Sequence, residues 1–225
     1  MNPRVAIVLF NLGGPDSLAA VRPFLFNLFS DPDIFRLPLA WLTQKPFAAL
    51  VSRRRAAEAS HGYAAIGGAS PLLANTRKQA GALSQALRAD GDFEVHICMR
   101  YWHPRAAEVV AKLKTDGIGR VLLLPLYPHY SRTTTGSSRN EFERECARQH
   151  YRPAMTLVHE WYDQADYLAG IVETLREQAA QFPEPDPARI ELLFSAHGLP
   201  QKIVAAGDPY EKQIRASSGF TRRLC

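Results

Sequence analysis

Val5-Ala6-Ile7-Val8-Leu9-Phe10, followed at once by Asn11-Leu12-Gly13-Gly14-Pro15, is the stretch that decides the fold. Six consecutive apolar residues rich in β-branched types read as a buried strand. The Gly-Gly-Pro run ends it. Downstream, Asp16 and Ser17 are placed to cap a helix carrying Leu18, Val21, Leu25 and Leu28, which Pro23 delays or bends. Ser70-Pro71 starts another helix, with Leu73, Ala80, Leu83 and Leu87 at helical spacing until Asp90-Gly91. Phe93, Val95, Ile97 and Met99 alternate with polar residues, so a second strand follows. Ala107, Val110 and Leu113 give a helix that ends at Asp116-Gly117. The run 121–124 is apolar on both faces, as in a covered parallel strand.

The alternation continues to the end of the chain. A charged helix is expected over 138–149 with acids in its first turn, then a strand over 155–158. Asp163 caps a helix carrying Leu168, Ile171, Val172 and Leu175. The Pro-rich stretch 183–187 is a stiff linker, and 190–194 reads as a further buried strand. Asp208-Pro209-Tyr210 opens a helix through Ile214 that Ser217-Ser218-Gly219 should break. The expectation is an α/β protein of doubly wound parallel sheets with flanking helices. It has a first lobe over 1–154 and the start of a second, incomplete lobe over 155–225, with exposed apolar surface where that second sheet stops.

Composition narrows the function. The chain has 225 residues, 46% hydrophobic and 22% charged, enough for a core without disulfides. Twenty-seven basic against 22 acidic residues give +5, which suits an anionic small molecule or membrane surface better than nucleic acid. Three cysteines without CxxC spacing exclude a disulfide scaffold and a self-contained thiolate cluster. No stretch reads as a membrane span or signal peptide, so a cytoplasmic location is expected. The first fifty residues are rich in Phe, and the loop from Phe35 to Trp41 is apolar. No feature fixes an oligomeric state.

In open parallel sheets, ligands sit at the carboxyl ends of the strands. The loops there collect Arg100-Tyr101-Trp102-His103-Pro104, Tyr127-Pro128-His129-Tyr130-Ser131 and Ser195-Ala196-His197-Gly198. Aromatic walls with a few fixed polar groups suit a flat organic ligand, and Arg suits its carboxylates. His197 follows a strand among small neighbours that leave room for a bulky ligand. His103 and His129 either shape turns or face the ligand. The hydroxyl-rich stretch 133–138 either caps a helix or cradles a phosphate. No dinucleotide or P-loop glycine pattern is present.

Taken together, Asn11 to Pro15, Ile66-Gly67-Gly68-Ala69-Ser70-Pro71, Arg100 to Pro104, Leu124-Pro125-Leu126-Tyr127-Pro128-His129-Tyr130-Ser131 with Thr134-Thr135-Gly136-Ser137-Ser138, and Ser195-Ala196-His197-Gly198-Leu199-Pro200 resemble the ferrochelatase family in order. The resemblance implies two chelatase-like lobes around a porphyrin cleft. It also implies a lyase-class enzyme that inserts Fe²⁺ into protoporphyrin IX in the last step of haem synthesis. His197 matches the metal-site histidine. Leu12, Arg55, Tyr63, Ser70, Arg100, Tyr101, Tyr127 and Ser131 match porphyrin-facing positions. The segment 24–41 resembles a lip over the cleft that in some members touches the membrane peripherally. No tightly bound cofactor and no iron–sulfur cluster are implied, because the cysteines do not match the cluster arrangement. Members of the family continue past residue 225, so the chain reads as truncated; the alternative is a porphyrin- or haem-binding fragment without turnover.

Overall fold

The computed structural model describes residues 4–183 and 189–224. Four strands, β1 (Val5–Asn11), β2 (Phe93–Met99), β3 (Arg120–Pro125) and β4 (Ala154–Leu157), pair in parallel in the order β2-β1-β3-β4. β1 is central: Val5 faces Phe93 on one side and Arg120 on the other, and the register holds along both ladders. Every residue of β1 after Val5 is buried, which explains why its sequence is a continuous apolar run rather than an alternating one.

Each face of the sheet is covered. On one, Ala6, Val8 and Phe10 meet Val121 and Leu123 and pack against α4 (Ala106–Thr115) and α5 (Ser137–Arg148). Phe10 and Phe142 meet edge to face at 5.8 Å. The second core cluster is built by α1 (Val21–Phe29) and α2 (Ala40–Ala65), where Val21, Phe24, Leu25 and Phe29 close on Ala48 and Tyr101. Gln44 in α2 donates its side-chain amide to the Phe29 carbonyl at 2.9 Å, which satisfies an open acceptor at the end of α1. α3 (Leu72–Ala86) packs on β2.

The chain divides into two compact units, residues 1–127 with 132–159, and 128–131 with 160–225. β4 pairs with β3 and completes the first unit's sheet, so this strand does not open a second lobe as expected. The second unit holds α6 (Ala165–Ala179), α7 (Gln201–Ala205) and α8 (Tyr210–Leu224), with α6 against α8 and no strand among the described residues. The strand expected over 190–194 is absent. Its backbone has no ladder partner, and Leu193 is 92% exposed, with Leu192 and Phe194 also exposed.

Other local expectations change for similar reasons. α8 runs through Ser217-Ser218-Gly219, where both serine hydroxyls bond back to the Ile214 carbonyl, at 3.2 and 2.8 Å, and burial of one helix face outweighs the low propensity of the stretch. Its buried positions Gln213, Ser217 and Thr221 recur every four residues. Ser17 does not cap; its hydroxyl turns to Asp16 at 3.4 Å, and a 3₁₀ turn, Leu18–Ala20, precedes α1. Gln164, not Asp163, stands before α6. A π-turn, Arg132–Gly136, leads into α5, whose first turn carries no acid; Glu141 comes one turn later. Most of the 183–187 linker, and Cys225, lie outside the described residues.

Candidate functional site

The first unit carries a rim above the ends of β1 and β2. Pairing continues past the strands: Arg100 N–H donates to Asn11 O at 2.8 Å and Tyr101 N–H to Leu12 O at 2.9 Å. The Asn11 side chain fixes the turn, accepting from Leu12 N–H at 2.8 Å and donating to Thr76 Oγ1 at 3.0 Å. Gly13 is required here. Its φ is +81°, and a Cβ would sit 2.9 Å from Trp102 N. At Gly14 a Cβ would lie 2.4 Å from Ser70 Oγ, and Ser70 N–H donates to Pro15 O at 2.8 Å. Gly13 thus admits the loop after β2, and Gly14 the Ser70 turn, close against the β1 loop.

Beneath this rim lies a buried polar network. The Asp31 carboxylate accepts from Arg100 Nη2 at 3.0 Å, from Tyr101 Oη at 2.7 Å, from the Ser137 hydroxyl, and from Asp33 N–H at 2.9 Å. Arg100 also donates to Ser137 Oγ at 2.7 Å and Glu141 Oε2 at 3.0 Å, and Arg105 holds the other Glu141 oxygen. Burial works against the Arg100 charge, yet Glu141 and Asp31 raise its pKa further. Burial, and then Asp31, push the Tyr101 phenol well above the usual tyrosine range.

Arg100 and Tyr101, expected to face the porphyrin, thus lie inside this buried network. Tyr101 is fully buried, and each guanidinium nitrogen of Arg100 has an internal partner. Their task is to lock the loop after β2 onto α1 and α5. Sequence reading missed Asp31, Glu141 and Asn11 as the groups that organise this rim. Asn11 stood in the quoted Asn11–Pro15 motif, whereas Asp31-Pro32-Asp33 and the charged helix over 138–149 carried no pattern that pairs them. The stretch 133–138 is no phosphate cradle: Thr133, Thr135, Ser137 and Ser138 are buried, and Ser137 is taken by Arg100 and Asp31. His103 sits at 2.6 Å from Glu108 at the start of α4.

The remaining expected residues fall in three groups. Leu12, Tyr63 and Trp102 are half-buried on the α1–α2 cluster, where burial raises the Tyr63 phenol's pKa. Arg55 is exposed on α2, eight residues or about 12 Å before Tyr63 along the helix. Tyr127 is half-buried against the other core, with its phenol likewise raised by burial. Ser131 and His197 belong to the second unit. There His197 is exposed and lines an open cavity of about 650 Å³ with Leu199, Tyr210, Glu211, Ile214 and Arg215. Glu211 and Arg215 pair at 2.8 Å one turn apart.

The apolar lip also divides. Phe24, Leu25 and Phe29 are core residues, whereas Leu39, Trp41 and Leu42 are exposed, Trp41 at 84%. No described helix is long and apolar enough to cross a membrane. Among the described residues no three His, Cys, Asp or Glu converge in a way that holds a metal ion.

Residues 4–223 match the ferrochelatase family. The chain belongs to that family. A ferrochelatase of Synechocystis sp. is 47% identical over 227 residues, covering 98% of this chain and 57% of the relative. One from Cyanothece sp. is 48% identical over 221 residues, covering 96% and 56%. One from Gloeobacter violaceus is 47% identical over 213 residues, covering 93% and 64%. The chain thus spans less than two thirds of the length of these ferrochelatases. The four-stranded parallel sheet with its flanking helices agrees with the chelatase-like fold that the motifs implied.

Proposed function

We propose that this chain takes part in the insertion of Fe²⁺ into protoporphyrin IX, the last step of haem synthesis. Membership of the ferrochelatase family supports this reading, and the observation that carries it is the exposed His197 imidazole on an open cavity. Insertion requires that two pyrrole protons leave the ring centre as the metal enters. A neutral imidazole, with an ordinary pKa of about 6.5, accepts a proton or ligates Fe²⁺ near neutral pH. Iron here is substrate, and His197 is its one named protein contact.

Binding draws on the first unit. Leu12, Tyr63 and Trp102 offer apolar surface to a macrocycle, the exposed Arg55 offers a fork for a carboxylate, and Ser70 stands at the rim. Arg100 and Tyr101 keep that rim rigid from beneath. Rigid walls let binding energy distort the ring so that a nitrogen lone pair turns out of plane, a strain on the order of 1–5 kcal/mol. Leu39, Trp41 and Leu42 are the proposed peripheral membrane contact.

Anaerobic ferrous insertion into protoporphyrin IX is the test. His197→Ala is expected to lower the rate at least ~100-fold, the usual scale for a lost proton-transfer group; an undiminished rate overturns the assignment. A second reading, porphyrin binding without turnover, is favoured by Leu12, Arg55, Tyr63 and Ser70, which offer binding surface within the first unit by themselves. Saturable porphyrin binding with no insertion selects it.

A further inference from the structure

β2 is an end strand of the first unit's sheet, and its outer edge is open. Backbone groups of a strand point alternately to its two sides. Asp92 C=O accepts from Val5 N–H at 3.0 Å and Arg100 N–H donates to Asn11 O, so the even residues of β2 are turned to β1. Phe93, Val95 and Ile97 therefore turn their N–H and C=O groups outward. Met99, next in that series, gives its N–H to Pro104 O at 2.7 Å. No other element meets the backbone of Phe93, Val95 or Ile97 among the described residues. The edge is also reachable. Val95, His96 and Ile97 are half-buried and line an open groove of about 400 Å³. Arg77 and Ala80 of α3 stand along one wall, and Glu108, Val109 and Lys112 of α4 along the other.

We propose that this edge pairs with the same edge of a second copy of the chain, antiparallel and centred on Val95. The side chains fix both the occupant and the register. Centred on Val95, that residue faces Val95 of the second copy and Phe93 faces Ile97. Glu94 then faces His96, and His96 faces Glu94. Each pair is apolar on apolar or carboxylate on imidazole. Within one chain Glu94 already stands between Arg4, at 3.1 Å, and His96, at 3.3 Å. The two ladders interleave, with a carboxylate beside an imidazole in both directions. Other centres lose this match. Phe93 as centre sets Asp92 against Glu94, and Glu94 or His96 as centre sets like against like. Ile97 as centre calls on the Met99 N–H that Pro104 already holds. A two-fold copy carries the complement by construction, because the interface is isologous. An unrelated strand would have to match acid, base and apolar positions one by one.

Sedimentation equilibrium on the whole chain tests the pairing. The wild type should show a dimer that dissociates on dilution. Glu94→Lys sets a cation against His96, and His96→Glu sets two carboxylates face to face. Each alone should weaken the dimer about tenfold or more, with the circular dichroism spectrum unchanged. A one-to-one mixture of the two variants should dimerise again, since the new cation faces the new carboxylate and the remaining pair is the native one. Register is read by oxidation. Paired residues at the centre have Cα atoms about 5.5 Å apart, within disulfide range, so Val95→Cys should link to itself. Phe93→Cys should not, because its two copies lie about 14 Å apart along the strands. A wild type that stays monomeric leaves the edge to a strand of another protein and overturns the proposal. So does a dimer indifferent to both charge variants, a mixture that stays monomeric, or Phe93→Cys linking as readily as Val95→Cys.

Discussion

Leu123 and Leu193 lie in two short apolar stretches, Val121 to Pro125 and Ile190 to Phe194, and meet opposite fates. Leu123 is 1% exposed, in a strand paired on both sides and covered by α4 and α5. Leu193 is 92% exposed, in a stretch with no strand partner among the described residues. An apolar run is a demand for neighbours, and a strand forms only where another strand meets its N–H and C=O groups. The first unit satisfies this demand on both edges of β1. The second unit is a helical assembly whose polar contacts, at His129, Gln213, Ser217 and Asp208, carry more of its organisation.

That contrast can be broken at several points. The largest effect is expected at Asp31→Ala, which removes one of the two carboxylates paired with buried Arg100 and leaves the buried Tyr101 hydroxyl without its acceptor; about 3–5 kcal/mol should be lost in urea unfolding. A loss below about 1 kcal/mol would mean the network is dispensable. Leu123→Ala should cost about 2–5 kcal/mol by the same measurement. Gly14→Ala should cost about 1–3 kcal/mol through overpacking against Ser70, and the double variant with Ser70→Gly should recover most of it. Additive costs in that pair would remove the close approach from the account. Leu193→Ala should change stability by less than about 0.5 kcal/mol. A cost matching that of Leu123→Ala would show that Leu193 is buried in solution.

Much of the first unit was legible because its signals are local and agree with one another. β1, β2 and β3 carry apolar runs or alternation bounded by turn residues, and Gly13-Gly14 announces a turn. The rim was half legible. The motifs located Arg100 and Tyr101, but their burial depends on Asp31 and Glu141, which are distant in sequence and carry no motif. α8 stays intact where Ser-Ser-Gly suggested a break, because burial of its Gln213, Ser217 and Thr221 face outweighs local propensity. In the lip, Phe24 and Trp41 look alike as apolar residues; only the packing of α1 on α2 separates core from surface.

The central claim is that the rim around Leu12, Tyr63 and Ser70 receives a porphyrin. Absorption titration of the purified chain with protoporphyrin IX tests it most directly. A saturable shift of the Soret band, weakened by Arg55→Ala and Tyr63→Ala in a chain of unchanged stability, is the predicted result. A Soret band that does not move, or a shift that both variants leave untouched, would contradict it.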